Sequence, residues 1–125
     1  MADKLGSFKS LFSIFRRYQT AHLYNQCNRR FPPTGQKILD EMALALNKVG
    51  NKSVRIIGHT DSQGNATTNL GLSLQRANAV REYLVNKGVN RSLLSTNGLG
   101  STQPIAENNT EEGRRRNRRI EFEVI

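Results

Sequence analysis

Residues 58–64, GHTDSQG, hold side chains whose types and spacing could do chemistry. They place His59 and Asp61 between two glycines, directly after the apolar run SVRII. A histidine near an acid can transfer protons or bind a metal ion. No H-x-x-x-H pair, cysteine cluster or glycine-framed serine accompanies them, so the sequence predicts no catalytic residue, no metal site and no cofactor. His59 is expected to pack or hydrogen-bond at the end of a strand.

Arg76 is a second charged group of interest, on a helix predicted over residues 69–87. At about 100° per residue, one side of this helix collects the apolar residues Leu72, Ala79, Val80, Tyr83 and Leu84. Arg76 lies within that stripe, which should face the sheet. A guanidinium removed from water needs a carboxylate, because an unpaired buried charge is strongly destabilising. Asp61, in the loop that enters the helix, is the candidate partner.

Two interpretations of the Asp61–Arg76 pair are open. In the first, the two side chains form a structural salt bridge. In the second, they form a half-exposed pair at the mouth of a cleft and receive a zwitterion, with Asp61 taking an ammonium group and Arg76 a carboxylate. The second agrees with the position of Asp61, because ligands of α/β sheets bind outside the carboxyl ends of strands. Asn69 is predicted to cap the helix, with a hydrogen bond to a ligand as its alternative role.

Hydrophobic periodicity predicts the elements that would position these side chains. A first helix is expected from Thr34, as its cap, to Gly50, which ends it. The other elements are a buried strand over 53–58, a helix-like start and a strand over 91–100, a polar loop over 104–113, and a last strand in RRIEFEVI whose buried face is Ile120, Phe122 and Val124. Together they predict an α/β (α+β) domain of two layers, with helices against one sheet.

Length and charge limit the possible functions. The 125 residues are enough for one domain. A formal net charge of +9 indicates an anionic partner, such as nucleic acid, an acidic membrane surface or an acidic polymer. The single Cys27 excludes an internal disulfide framework and a cysteine-based zinc site. No apolar run approaches the roughly 18 residues that a membrane-spanning helix needs.

Residues 1–31 are rich in basic and amide side chains, and we interpret them as a linker or docking helix in front of a domain at residues 32–125. Their apolar residues, with LFSIF at 11–15, predict a short amphipathic helix. Arg16 and Arg17 interrupt this apolar patch, so no export signal is visible.

Four motifs in order identify a resemblance to a known family. They are G-H-T-D from Gly58, N-x-x-L-S-x-x-R-A from Asn69, G-x-G-x-x-x-P-I-A-x-N from Gly98, and G-R-x-x-N-R-R from Gly113. This part of the chain, about residues 34–125, resembles the OmpA-like peptidoglycan-binding domain. That is the family of the OmpA C-terminal domain, the peptidoglycan-associated lipoprotein and MotB. The resemblance implies a β/α/β/α/β/β sandwich with helices packed on one mixed sheet.

The resemblance also implies a function without catalysis: binding the meso-diaminopimelate of the peptidoglycan stem peptide and so anchoring an envelope protein or complex to the cell wall. By position, Asp61 matches the aspartate that holds the ammonium group, and Arg76 matches the arginine that holds the carboxylate. The further positions that match the pocket are Thr60, Asn69, Leu72, Ser73 and Arg119. The implied location is the periplasm or cell envelope of a Gram-negative bacterium, with other envelope proteins as partners through residues 1–31 or a region outside this chain, and no nucleic acid.

The N-terminal part departs from the family pattern. Where members carry an apolar first strand, this chain has the polar and basic stretch HLYNQCNRRF, which leaves the first strand open. The basic N-terminal segment and the arginines at 114–119 support the alternative function, a basic interaction domain that binds nucleic acid or acidic lipid.

Overall fold

The mixed sheet and the helices packed on it confirm the predicted two-layer architecture. A computed structural model describes residues 17–23 and 30–124. Within these residues the elements are β1 (Arg17–Gln19), α1 (Thr20–Leu23), α2 (Pro33–Val49), β2 (Val54–His59), α3 (Ala66–Asn86), β3 (Leu94–Gly100), α4 (Glu111–Asn117) and β4 (Arg119–Val124). The strand order is β1-β4-β2-β3; β2 and β3 are parallel, and β4 is antiparallel to both of its neighbours.

The hydrophobic core lies between one face of this sheet and the two long helices. Ile56 of β2 lies opposite Phe122 of β4, so alternate residues of both strands face the same side. The buried side chains on that side and on the helices include Val54, Ile56, Ile120, Phe122, Leu39, Met42, Leu46, Ala77, Val80 and Leu84. Val124, the last residue of β4, is 37% exposed, so the buried face of this strand is shorter than the alternation predicts.

Part of the N-terminal segment supplies the edge strand that the sequence left open. β1 pairs with β4, and Tyr18 packs edge-on against Phe122 with ring centroids 6.4 Å apart. Leu23 of α1 is fully buried in the core. The amphipathic helix predicted around residues 11–15 and the lone Cys27 lie outside the described residues.

Helix α3 begins earlier than predicted. Asn65, and not Asn69, caps it: the Asn65 Oδ1 accepts the N–H groups of Thr67 and Thr68 at 2.8 and 3.2 Å. The predicted cap of Asn69 is therefore wrong, because one more turn of helix precedes it. The buried side of α3 comprises Asn69, Ser73, Arg76, Ala77, Val80 and Leu84. The expected burial of Arg76 is confirmed. Ala77 is also buried on this side of the helix, although the predicted apolar stripe did not include it.

Two other helix predictions need correction. α2 begins at Pro33 and has no side-chain cap, so Thr34 does not cap it; proline suits the first turn, where its missing N–H has no partner to lose. α4 was predicted as the end of a polar loop. The Thr110 hydroxyl oxygen caps it by accepting the Gly113 N–H. The negative charge of Glu111 in the first turn interacts favourably with the positive end of the helix dipole.

Two glycines allow α3 to lie very close to the sheet. A β-carbon on Gly58 of β2 would lie 2.1 Å from the Ser73 backbone oxygen, and one on Gly98 of β3 would lie 2.5 Å from the Leu74 nitrogen. Only glycine fits at such a distance, so these two positions bring the first turns of α3 down onto the carboxyl ends of β2 and β3.

We expect Gly58→Ala to lower the free energy of unfolding by about 1–3 kcal/mol, because the added methyl group forces α3 away from β2. Gly71→Ala is the matched control: it lies on α3, where a β-carbon meets no atom within 4 Å, and it should raise stability by up to ~1 kcal/mol. Urea denaturation of both variants measures the difference. Equal stability of the two variants would contradict the close approach of the helix.

Candidate functional site

The loop after β2 places Asp61 at the carboxyl end of the sheet. The Thr60 N–H donates to the Gly100 carbonyl at 2.8 Å, which extends the pairing of β2 and β3 by one residue. Asp61 then turns away, and its Oδ1 accepts the Gln63 N–H at 3.0 Å. The Asp61 side chain is only 10% exposed. The prediction that Asp61 lies outside a strand end is therefore confirmed, although it is buried and not half exposed.

Three of the predicted pocket residues hold the backbone around Asp61. The Asn69 amide donates to the carbonyls of Gln63 and Asp61 at 2.9 and 3.4 Å. The Thr60 hydroxyl donates to the Asp61 carbonyl at 2.8 Å. The Ser73 hydroxyl is fully buried; it donates to the Leu70 carbonyl and accepts the Gly100 N–H. These contacts hold the backbone of the Asp61 loop and of the adjoining end of β3.

Arg118 is the cation that contacts Asp61. Its Nη1 donates to Asp61 Oδ2 at 2.6 Å, and its Nη2 donates to Glu111 Oε1 at 2.6 Å. Arg114 reaches the other oxygen of Glu111 at 3.2 Å. Four charged groups, two of each sign, thus lie in one row that runs from the end of β2 to the first turn of α4.

The electrostatics of this row follow from its hydrogen bonds. The hydrogen bond from Arg118 holds the pKa of the Glu111 carboxyl below its usual value. Burial lowers the pKa of Arg118, but its bonds to Glu111 and Asp61 outweigh burial and leave the pKa of the guanidinium above its usual value. Glu111 and Arg118 are therefore charged at neutral pH.

Arg76 is the other charged group of the predicted pair. The ion pair that Asp61 forms with Arg118 is a contact that the sequence did not predict, and the predicted pairing of Asp61 with Arg76 stays a prediction. Arg76 is buried, with 7% of its surface exposed, one turn beyond Ser73 on the side of α3 that faces the sheet. Leu72 lies on the same helix and is partly exposed.

Arg119 belongs to a different set of contacts. Its guanidinium donates to Glu121 at 3.1 Å and to the carbonyls of Asn117 and Gln103 at 3.2 and 2.9 Å. The other oxygen of Glu121 lies 2.9 Å from Nε2 of the buried His59. His59 therefore forms a hydrogen bond at the strand end, as expected. In the part of the chain that the structure describes, no cluster of three or more histidine, cysteine, aspartate or glutamate side chains could hold a metal ion.

Asn117 ties the loop between β3 and α4 to the site. Its amide oxygen accepts the N–H groups of Ile105 and Ala106 at 2.8 and 3.0 Å, and its nitrogen donates to the carbonyl of Ala106 and to Asn108 Oδ1. Asn108 Oδ1 also accepts the Ser62 N–H at 3.2 Å. This buried asparagine therefore links α4, the loop after β3 and the loop that carries Asp61.

Comparison with known proteins identifies the family of this chain. A model of the OmpA family matches residues 23–118. The chain belongs to the OmpA family. The family and the fold predicted from the motifs are thereby confirmed.

Individual relatives of this family agree with the assignment. The chain is 41% identical over 93 residues to outer membrane protein A of Bordetella avium, which covers 74% of this chain and 48% of that protein. It is 45% identical over 92 residues to the peptidoglycan-binding protein ArfA of Mycobacterium tuberculosis, covering 74% of this chain and 28% of that protein. The peptidoglycan-associated lipoprotein from Burkholderia pseudomallei superposes with a TM-score of 0.82 at 26% identity, over 98% of this chain and 100% of that one.

The match with the curated relatives is partial in length, since this chain spans less than half of each of the two named here. None of the helices in the described residues combines the length and the apolar character that a membrane-spanning helix needs.

Arg118, which pairs with Asp61, is a residue of the G-R-x-x-N-R-R motif to which the sequence assigned no role; the resemblance named its neighbour Arg119 as a residue near the pocket. Sequence alone gives little to separate two adjacent arginines. The one available signal is the strand alternation: Ile120 and Phe122 face the helices, which puts Arg119 on the opposite face of β4 and leaves Arg118 in the turn before the strand. The binding roles predicted for Thr60, Asn69, Leu72, Ser73 and Arg119 stay predictions.

Asn117→Ala should lower the free energy of unfolding by about 1–3 kcal/mol, because it leaves the buried polar groups of Ile105 and Ala106 without their partner. Amide hydrogen exchange at these two residues should become faster. Asn97→Ala, an exposed amide on β3, is the control and should change neither quantity. Unchanged exchange at Ile105 in the Asn117 variant would show that the loop is held in another way.

Proposed function

We propose that this domain binds peptidoglycan without catalysis, through the free end of meso-diaminopimelate in the stem peptide, and so anchors an envelope protein or complex to the cell wall. That free end carries one ammonium and one carboxylate group. In the proposal Asp61 receives the ammonium and Arg76 the carboxylate. The observation that carries it is the burial of both groups, Asp61 in the loop after β2 and Arg76 on the side of α3 that faces the sheet.

The geometry of α3 supports this assignment. Asn69, at the start of the buried side of the helix, contacts the Asp61 loop, and Arg76 lies about two turns further along the same side. Long helical side chains lean toward the helix N-terminus, so the guanidinium of Arg76 should extend back toward Asp61. A bidentate guanidinium suits a carboxylate, and a single carboxylate suits an ammonium.

The relatives support the same ligand class. ArfA is named as a peptidoglycan-binding protein, and the Burkholderia protein is a peptidoglycan-associated lipoprotein. We therefore place the domain in the bacterial cell envelope, with the peptidoglycan stem peptide as its partner.

The affinity for one stem peptide should be modest. Two charge-assisted contacts contribute roughly 1.5–3 kcal/mol each before the loss of ligand freedom is counted. Cell-wall anchoring would then depend on many stem peptides and many copies of the domain acting together.

The alternative, a basic domain that binds nucleic acid or acidic lipid, has less support. Arg114 and Arg118 are engaged with Glu111 and Asp61, which leaves Arg115 and Arg116 as the exposed members of the arginine cluster. Two exposed arginines on a short helix offer few phosphate contacts. The arginines at 114–119 form a basic run in the sequence, but ion pairs in the folded domain neutralise part of that charge.

We expect Asp61→Asn and Arg76→Gln each to weaken co-sedimentation with purified sacculi about tenfold or more, because each removes one charge-assisted contact with the ligand. Arg115→Gln is the control for net charge, since it removes an exposed positive charge from α4 and should bind like the parent. Circular dichroism checks that every variant is folded. Folded Asp61 and Arg76 variants that sediment like the parent would refute the site.

Cell walls with lysine at the third stem position test the ligand itself. Lysine presents the ammonium group without the carboxylate, so the parent should bind these walls several-fold less than diaminopimelate walls. Arg76→Gln should lose this preference, because it lacks the group that distinguishes the two side chains. A parent that binds both walls equally would exclude the proposed role of Arg76.

A further inference from the structure

The Asp61 carboxylate already pairs with a cation of the protein itself, the guanidinium of Arg118. Exposure increases outward along the row of charges: the side chains of Asp61, Arg118 and Glu111 are 10%, 29% and 54% exposed. Arg118 is therefore the more exposed partner of the ion pair with Asp61. A ligand ammonium that binds Asp61 Oδ2 finds that oxygen already accepting the Arg118 guanidinium.

The two cations compete for the same oxygens. Asp61 Oδ1 already accepts the Gln63 N–H, and Oδ2 accepts Arg118 at 2.6 Å. An ammonium placed beside Arg118 would bring two positive charges together in front of one carboxylate, which is unfavourable in a buried setting. Ammonium binding is thus expected to require that Arg118 leaves Asp61.

Arg118 has an alternative partner when it leaves. Its Nη2 already donates to Glu111 Oε1 at 2.6 Å, so a small rotation can release Asp61 without leaving the guanidinium unpaired. The backbone of Arg118 is held in place, since its N–H donates to the Arg114 carbonyl at 3.0 Å and its carbonyl accepts the Thr20 N–H at 2.9 Å. Only the side chain needs to move.

We propose that Arg118 is an internal competitor at the ammonium subsite, which pairs with both Asp61 and Glu111 in the free domain and keeps only Glu111 when a ligand ammonium binds. Arg118 is a specificity residue in this proposal: a ligand without an ammonium group cannot displace it from Asp61. The proposal rests on the peptidoglycan function given above, with Asp61 as the ammonium acceptor. In this proposal Glu111 holds Arg118 when the ligand is bound. Glu111 lies outside the four motifs of the sequence.

The experiment compares two neutralising variants that should act in opposite directions. NMR titrations with the soluble tripeptide L-alanyl-D-γ-glutamyl-meso-diaminopimelate would be run on the parent, Arg118→Gln, Glu111→Gln and, as a charge control, Arg115→Gln. Arg118→Gln should bind about tenfold more tightly, because the competing charge-assisted contact is gone. Glu111→Gln should bind about threefold more weakly, because Arg118 loses its alternative partner at an exposed position.

A second ligand separates competition from a structural role. The same tripeptide with its free side-chain amine acetylated carries no cation, so Arg118→Gln should not tighten its binding. Circular dichroism and thermal unfolding confirm that the variants are folded. Glu111 is exposed, so its variant keeps the test informative even if Arg118→Gln fails to fold.

The outcomes distinguish this proposal from the function on which it rests. If the parent binds neither sacculi nor the tripeptide, the peptidoglycan function fails. If the parent binds in an Asp61-dependent way but Arg118→Gln binds equally or more weakly, the competitor role alone is overturned and Arg118 acts as a ligand contact or as a support for Asp61. A gain in affinity for the acetylated tripeptide would also overturn it.

Discussion

The close approach of α3 to β2 and β3 is the constraint on which the rest of the structure depends. It is possible because Gly58 and Gly98 present no side chains to the helix, and it places the Ser73 hydroxyl against the end of β3. From that anchor the buried side of α3 extends in both directions, to Asn69, which contacts the Asp61 loop, and to Arg76, about one turn beyond Ser73. A larger residue at Gly58 or Gly98 would move α3 away from the ends of β2 and β3, and so would displace the residues of the candidate site on the helix from those on the loops.

The second organising feature is the way in which the domain keeps charge near its core. Asp61 is buried, yet it accepts a backbone N–H and a guanidinium, so the carboxylate is not left without partners. Its cation comes from Arg118, 57 residues away in the sequence. Asn117, the residue just before it, fixes the turn by bonding the loop after β3. The acid and its cation are therefore positioned by different parts of the chain that meet only at this end of the sheet.

This arrangement also explains why the charge of the sequence is a poor guide to its surface. Several arginines that look like one basic cluster in the sequence take on separate roles in the fold. Arg118 pairs with two carboxylates, Arg119 is buried against Glu121, and Arg115 stays exposed. Net charge constrains the class of partner, but ion pairs inside the fold decide which of those charges a partner can meet.

The sequence by itself determined the family, the two-layer architecture, the end of α2 at Gly50 and the burial of Arg76, because these follow from local periodicity, glycine positions and short motifs. It did not determine that β1 comes from residues 17–19, that α4 forms, or that Arg118 pairs with Asp61. Each of these depends on contacts between residues far apart in the chain. Only the tertiary structure decided them, because an edge strand, a short helix and the partner of a charged side chain depend on how the packed backbone brings distant residues together.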